Sequence, residues 1–391
     1  MQAISTASII LTENCNMACG FCYERSKTPS VMNKETVKNA INFLAANRNK
    51  ERLFLMWFGG EPLTNFEVLK YGLTYAKSIM SYNLTHLIPT NGTIWTDEIE
   101  QFAIDNPNIT IQVSWQGLPE LQEDSRGFAT LVESNIKRIV SNTSNPFRIQ
   151  MQILPNMVHQ VVDAIDYIAS VIGNRGNIIV RPVPEAEGWL MGNTLEVFEQ
   201  QIALACSKHG NVLKKVCDAE EGLTSNVTYC GVGSKFCAIV PAGDIYPCHR
   251  FYFQRNQQFK LGNLKTGFVK SNVANVLETC TRDSIIGCNN CKAYDLCYIC
   301  PACNYEESKN FFVPSYQNCE VNKAYVSGIK QCTDQFKQSA EQLNIIRDPN
   351  INSEETLYQV VSILVNLNNS VIVMADRIRK LEDQIKFIGR M

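Results

Sequence analysis

Six short apolar, β-branched runs alternate with segments of helical periodicity over the first half of the chain. That alternation constrains the fold more than any other feature. The runs fall at 3–11, 53–58, 84–90, 109–115, 148–154 and 178–183. Between them apolar residues recur at helical spacing near 33–47, 66–82, 97–104, 128–142 and 159–172. Strands separated by helices pair in parallel through right-handed crossovers. The pattern predicts an α/β fold, and an open three-quarter barrel accommodates it as well as a flat doubly wound sheet. In either, ligand sites gather at the carboxyl ends of the strands.

Beyond about residue 225 the texture changes to Gly, Pro, Asn and aromatic turns that carry most of the cysteines, which predicts a region whose core is its metal. From 353 to the end it changes again, to an uninterrupted helical pattern without proline. The expected division is therefore 1–224, 225–335 and 336–391, and 391 residues are enough to bury a full core. With 36 basic against 38 acidic residues there is no signature of a nucleic-acid binder. The N-terminal segment has no basic stretch and no cleavage site, and nowhere do about 20 apolar residues run together. The reading is a cytoplasmic protein that does not enter a membrane.

Sixteen cysteines are far more than packing requires. Disulfides are disfavoured in a reducing cytosol, and the cysteines are grouped at the short spacings that suit metal or cluster ligation. The first group reads Cys15-Asn-Met-Ala-Cys19-Gly-Phe-Cys22-Tyr, directly after the first strand. Three thiolates can hold three corners of a four-iron cluster and leave the fourth iron to an outside ligand. Phe21 and Tyr23 can shield it from water. A zinc site is the alternative, although structural zinc usually takes four protein ligands. The second group comprises Cys230, Cys237, Cys248, Cys288, Cys291, Cys297, Cys300, Cys303 and Cys319. Zinc knuckles would also suit its paired Cys-x2-Cys units. Cys206, Cys217, Cys280 and Cys332 are left over and read as small buried apolar residues.

At the first triad the sequence resembles the radical S-adenosylmethionine (SAM) superfamily, whose cysteine loop follows the first strand of a partial barrel. Trp57-Phe58-Gly59-Gly60-Glu61-Pro62 is similar to the family's Gly-Gly-Glu motif. Two glycines permit close backbone approach, and Glu61 offers a carboxylate to the ammonium of the cosubstrate. Asn91 and Ser114, at later strand ends, are candidate hydrogen-bond partners of the cosubstrate by the same resemblance, with ordinary turn chemistry as the alternative. Arg181 could pair with a carboxylate of cosubstrate or peptide, with a surface ion pair as the alternative. Gln116 stands where many relatives carry Asp, and an amide cannot act as a general base.

The spacing Cys230-x12-Gly243-x4-Cys248, followed by Cys288-x2-Cys291-x5-Cys297, resembles the SPASM domain of radical enzymes that modify peptides and proteins. The resemblance covers roughly 1–335. It implies a partial (β/α)6 TIM-type barrel followed by a cysteine-rich domain with two auxiliary 4Fe-4S clusters. Cys230, Cys237, Cys248 and Cys300 or Cys303 would hold the nearer cluster, and Cys288, Cys291, Cys297 and Cys319 the farther one. The chain would then carry three 4Fe-4S clusters and S-adenosyl-L-methionine, whose reductive cleavage yields a 5′-deoxyadenosyl radical that abstracts a substrate hydrogen. The implied substrate is a ribosomal precursor peptide receiving an intramolecular thioether or carbon-carbon crosslink, with a flavodoxin or ferredoxin as electron donor. A sulfatase-maturating, formylglycine-generating enzyme is the alternative, and an iron-sulfur electron carrier or redox sensor is a third reading.

The last helix carries Leu357, Leu364, Val371, Ile378 and Ile385 interleaved with Val360, Leu367, Met374, Leu381 and Ile388. An unbroken 3-4 repeat is a coiled-coil seam that seeks a homodimer partner or an accessory leader-binding protein through 353–391. Docking against the chain's own second domain is the alternative.

Overall fold

The computed structural model describes residues 3–342 apart from 25–26, 81–82, 211–229, 270–271, 295 and 298. All six anticipated strands form: β1 (Thr6–Thr12), β2 (Leu53–Gly59), β3 (Leu84–Thr90), β4 (Ile109–Ser114), β5 (Phe147–Ile153) and β6 (Gly176–Pro182). They lie in chain order and each neighbouring pair is parallel. The crossovers carry α1 (Lys34–Asn47), α2 (Phe66–Ile79), α3 (Asp97–Asp105), α4 (Pro119–Ser125) with α5 (Ala129–Asn142), and α6 (Val161–Ile172). Polar caps fix where helices begin: the Asn33 side chain accepts from Thr36 N at 2.8 Å before α1, and Thr96 accepts from Ile99 N at 3.3 Å before α3.

Alternation along each strand sorts the two faces of the sheet. In β5, Phe147, Ile149, Met151 and Ile153 are buried with the apolar stripes of the helices, while Arg148, Gln150 and Gln152 are half-buried on the opposite face. Burying the four apolar side chains of this strand contributes about 2 kcal/mol each.

The second half of the chain departs from expectation. After α7 (Thr194–His209) come β7 (Phe236–Ile239), β8 (Asp244–Tyr246), α8 (His249–Phe253), β9 (Gly262–Asn263) and β10 (Gly267–Phe268), then α9 (Asn272–Thr279), α10 (Pro301–Ser308) and α11 (Tyr316–Gln342). Strand β7 pairs in parallel with β1, and β8, β9 and β10 follow antiparallel, so one sheet of ten strands runs through the expected boundary at 224/225. Cys237, Ile239, Ile245 and Leu261 share the apolar core of the first six strands. The physical reason is the free edge of β1, whose backbone groups β7 satisfies.

The boundary at 335/336 likewise falls inside α11. This helix lies on α7: Tyr325 stacks on Phe198 at 6.2 Å, and Ser327 donates to Glu199 at 2.7 Å. A Cβ at Gly328 would stand 2.5 Å from the Glu199 carbonyl, so the glycine sets how closely the two helices approach. The heptad segment 353–391 lies outside the described residues. Among the described residues no helix is long and apolar enough to cross a membrane.

On the face away from the helices, Ile10 packs with Phe236, Ala238, Tyr246, Phe251, Phe253 and Phe259, so α8 and its neighbours cover the sheet near β7 and β1. Further along, β4, β5 and β6 present Gln112, Ser114, Arg148, Gln150, Gln152 and Arg181.

Candidate functional site

The triad loop leaves the carboxyl end of β1 and is fastened to the end of β2. Gly60 N donates to Thr12 O at 3.0 Å and Glu61 N donates to Asn14 O at 2.8 Å. A Cβ at Gly59 would lie 2.3 Å from Thr12 O, and one at Gly60 would lie 2.5 Å from Asn14 O. The close approach that the two glycines allow is therefore to the triad loop itself. Within the loop, Cys22 N donates to Cys19 O at 3.1 Å, which turns the chain between two thiols.

Glu61 is fully buried, and its carboxylate accepts from Leu63 N at 3.1 Å, Thr90 Oγ1 at 2.9 Å and Asn91 N at 2.7 Å. Burial pushes this carboxyl up to about 7, against the pull of those three donors. The protein's own donors engage both oxygens, which gives Glu61 an orienting role at the strand ends beside the contact with a cosubstrate ammonium expected from the sequence. Asn91 also works inward: its Nδ2 donates to Asn16 Oδ1 at 2.9 Å and lies 3.8 Å from Cys15 Sγ, while its Oδ1 accepts from Thr93 N at 2.9 Å. These bonds tie the ends of β2 and β3 to the first cysteine.

Arg126, just past α4, has no special sequence context, yet its Nη1 lies 3.8 Å from Cys19 Sγ and its guanidinium sits 4.8 Å over the Phe21 ring. Its Nε is buried and has no hydrogen-bond partner. Burial lowers this arginine, and the Cys19, Cys22 and Cys15 thiolates pull it back up. Burial also raises the Cys15 and Cys22 thiols, which disfavours their thiolate forms unless a cation stands close by. Behind the loop, the buried Glu13 accepts from Arg255, Tyr252 and Thr28, joining the triad to the segment after α8.

Ser114 ends β4 on the polar face, half-buried. Gln116 is fully enclosed: its Nε2 donates to Gln152 O at 2.6 Å and its Oε1 accepts from Gln152 N at 3.1 Å. Its amide holds the end of β4 to β5.

The remaining cysteines fall into two sets. Cys248 is raised by burial, then by the charges of Cys300 and Cys230. The Cys300 thiol is held down at about 7 by a hydrogen bond from Cys303, with the Arg250 charge assisting. Cys303 in turn lies 3.6 Å from Glu185 Oε1. Cys280 belongs here as well, because burial and then the Cys300 charge push it up to about 12. Cys237 does not. It points from β7 into the main apolar core and is pushed up to about 12 by burial alone. The alternation of β7 turns it away from the other thiols, so of the nearer set expected from sequence Cys237 is the member the fold does not bring in. The second set is Cys288, Cys291, Cys297 and Cys319, which burial raises at Cys288 and Cys297 and which act on one another as charges.

Aromatic and charged side chains bridge triad and first set. His249 stacks on Phe58 at 4.5 Å and lies 6.1 Å from Tyr23, and Arg250 sits 5.0 Å over Tyr23. The same Arg250 is paired with Glu185 and Glu306.

Residues 9–171 match the family model described as the Radical SAM superfamily. Over that stretch the chain is similar to the radical SAM superfamily. It is 25% identical over 277 residues to mycofactocin maturase MftC of Mycolicibacterium smegmatis, covering 65% of this chain and 66% of that protein. It is 24% identical over 160 residues to the radical SAM cyclopropyl synthase TigE of Paramaledivibacter caminithermalis, covering 34% of each. The chain thus spans about a third of the one relative and just under two thirds of the other. Among solved structures it is similar to anSMEcpe with bound AdoMet and a peptide, with TM-score 0.70, 16% identity and coverage of 86% of this chain and 99% of that one. SuiB of Streptococcus suis bound to precursor peptide SuiA gives TM-score 0.59 at 14% identity, over 81% of this chain and 76% of that one. At such identities these likenesses to solved structures show a shared fold alone.

The donor set fits this family's inorganic chemistry. Among the described residues no three His, Cys, Asp or Glu side chains converge as they would around a single ion. The loop donors are thiols throughout, and thiolates at the corners of a cluster stand further apart than ligands around one ion. Arg126 carries no local signal in the sequence, and Cys280 reads there as an isolated apolar cysteine, because the neighbours of each arrive from distant segments. The position of Cys237 could have been found, since it falls in a short apolar run, Phe236–Ile239, that reads as a buried strand.

Proposed function

We propose that this chain is a radical SAM oxidoreductase that modifies a side chain of a peptide or protein. The observation that carries the reading is the presentation of Cys15, Cys19 and Cys22 on one loop clamped by Gly60 and Glu61, with the orphaned Nε of Arg126 beside it. A four-iron cluster on these three thiolates, with SAM at its open corner, would when bound supply a 5′-deoxyadenosyl radical able to take hydrogen from an unactivated carbon.

The chain's own residues prepare for that chemistry. Glu61 and Asn91 hold the loop in register, Phe21 covers it, and Arg126 offers positive charge to an anionic group at the triad. Ser114 stands at the same end of the sheet, on its polar face. The amide of Gln116 can take no proton, which disfavours any mechanism that needs a base there. Cys230, Cys248 and Cys300, with Cys280 or Cys303, suit a nearer auxiliary cluster, and Cys288, Cys291, Cys297 and Cys319 a farther one. Such clusters would accept the electron that an oxidative crosslink leaves behind. In this reading β1–β6 form the open barrel of the family, and 225–335 are of SPASM type.

The names of MftC and of the SuiB complex with its precursor peptide support a ribosomal peptide as substrate. An intramolecular thioether or carbon-carbon crosslink is the product we propose, with a flavodoxin or ferredoxin supplying the electron. The anaerobically reconstituted, reduced protein should form 5′-deoxyadenosine. The variant with Cys15, Cys19 and Cys22 all replaced by Ala should lose that activity and about one cluster of iron; residual formation would defeat the assignment. Anaerobic co-expression with short open reading frames beside the gene should yield a peptide lighter by a pair of hydrogens.

A further inference from the structure

The triad loop leaves the sheet after Thr12 and returns at Val31, where the two residues form an antiparallel bridge. Gly60 and Glu61 fasten one side of this neck to the end of β2. Glu13 holds the other side. Its backbone N donates to Ser30 O at 2.9 Å, and its carboxylate accepts from Thr28 N at 2.8 Å and from Thr28 Oγ1 at 3.1 Å. One fully buried side chain therefore ties the outgoing limb of the loop to the returning one. Cys15 follows two residues later, and Cys19 and Cys22 lie between the limbs.

Further donors to Glu13 come from residues 239 and 242 positions away. Tyr252 donates its hydroxyl to Oε1, and the Arg255 guanidinium spans both oxygens, with Nη1 3.4 Å from Oε1. Both side chains are tied to Cys248. That cysteine caps α8, its carbonyl accepts from Tyr252 N at 3.3 Å, and Tyr252 O accepts in turn from Arg255 N at 3.0 Å. A short run of backbone bonds thus leads from a thiol of the first auxiliary set to the neck of the triad loop. Arg255 stands in the left-handed region at φ 56°, a conformation that costs energy for any residue with a Cβ. Its guanidinium lies 4.7 Å over the Tyr252 ring and 5.5 Å over that of Phe253. Strained backbone and aromatic rings together fix the direction in which the fork points.

A buried carboxylate paired with a cation adds little net stability, because desolvation offsets the attraction. What a fork on two oxygens supplies is a definite geometry. Here that geometry is the height of the loop neck, and with it the placement of Cys15 against the strand ends that carry Glu61, Asn91 and Ser114. We propose that Arg255 and Tyr252 are positioning residues for SAM binding: through Glu13 they hold the neck, so the segment headed by Cys248 sets how the three thiols are presented to the cosubstrate. The inference rests on the reading of the triad as the seat of a SAM-binding cluster.

The test uses the full-length, cluster-loaded protein with SAM and without reductant, so that binding is read apart from turnover. SAM affinity, iron per chain and the thermal unfolding midpoint are measured for the parent, Arg255→Gln, Arg255→Lys and Tyr252→Phe. Arg255→Gln should bind SAM about tenfold more weakly at unchanged iron per chain, because a small misplacement of the loop is felt at the cosubstrate. Arg255→Lys should recover only part of the loss, since a point charge cannot span both oxygens. Tyr252→Phe removes one hydroxyl and should weaken SAM about threefold; it decides the matter should Arg255→Gln fail to fold or to load iron. A lower unfolding midpoint with the parent's SAM affinity in every folded variant marks an ion pair that serves stability alone and overturns the proposal. A second readout needs no SAM: the electron paramagnetic resonance signal of the reduced triad iron, taken as the difference from the protein with Cys15, Cys19 and Cys22 replaced by Ala, should shift in Arg255→Gln. A parent that carries this signal but binds no SAM faults the functional reading, and the shift then shows by itself whether Arg255 holds the loop. An unshifted signal overturns the proposal, and a parent without the signal overturns both.

Discussion

The two cysteine-bearing regions are built in opposite ways. The triad loop is a short excursion from a parallel sheet, fixed by backbone bonds from Gly60 and Glu61 and by the side chain of Asn91. The stretch that holds Cys288, Cys291 and Cys297 consists of turns over a small apolar cluster of Cys280, Ile285 and Cys288. The first region can exist without iron because the sheet pays for its order. The second has little to bury and must draw its order from whatever its thiolates bind. Catalytic loops that meet a cosubstrate need that rigidity in advance, whereas a buried electron acceptor only has to be assembled once.

The largest expected effect follows directly. Removing iron with a chelator should abolish hydrogen-exchange protection over about 280–319, while β1–β6 and the bonds from Gly60 and Glu61 stay protected. Uniform loss of protection over both regions, or none in either, would break the comparison.

A second effect, on the order of 3 kcal/mol, sharpens the account of the rigid side. The Glu61 carboxyl is raised by burial from 4.5 to about 7, so the folded protein binds a proton that the unfolded chain has released. That contribution is fully present below pH 4.5 and is lost as pH rises through about 7. Urea denaturation of the parent should therefore show stability falling over this window, and Glu61→Gln should flatten the slope whatever its constant cost. An unchanged slope would mean that the carboxyl is ionised throughout.

The smallest effect separates two cysteines of similar burial. Cys237→Ala should cost about 1 kcal/mol as a small cavity in the main core and leave the iron content intact. Cys280→Ala, beside Cys300, should lower the iron content or its stability to chelation. Measured iron per chain decides between them, and the reverse result would return Cys237 to the cluster set.

Local chemistry was legible in the sequence wherever the signal is local. Alternation placed β3 at 84–90 as observed and the other strands within a few residues, because side-chain direction in a strand has a period of two. The triad, too, is a matter of neighbours along one loop. Gly59 and Gly60 were recognisable as sites of close approach, but what approaches them was not. The helix α7 and the long α11 escaped notice because α11 is polar on its outer side and declares itself only by docking on α7.

What only the tertiary structure decided is every relation between residues far apart in the chain. The sequence by itself determined six parallel strands, a thiolate loop after the first, and the short spacing of Cys288, Cys291 and Cys297. The fold decided that β7 completes the edge of β1 and thereby turns Cys237 inward. It brought Arg126 to Cys19 and Arg250 to Tyr23. Spacing along the chain encodes a strand's two faces, but which face of a distant segment meets them is set by packing and by the pairing of strand edges.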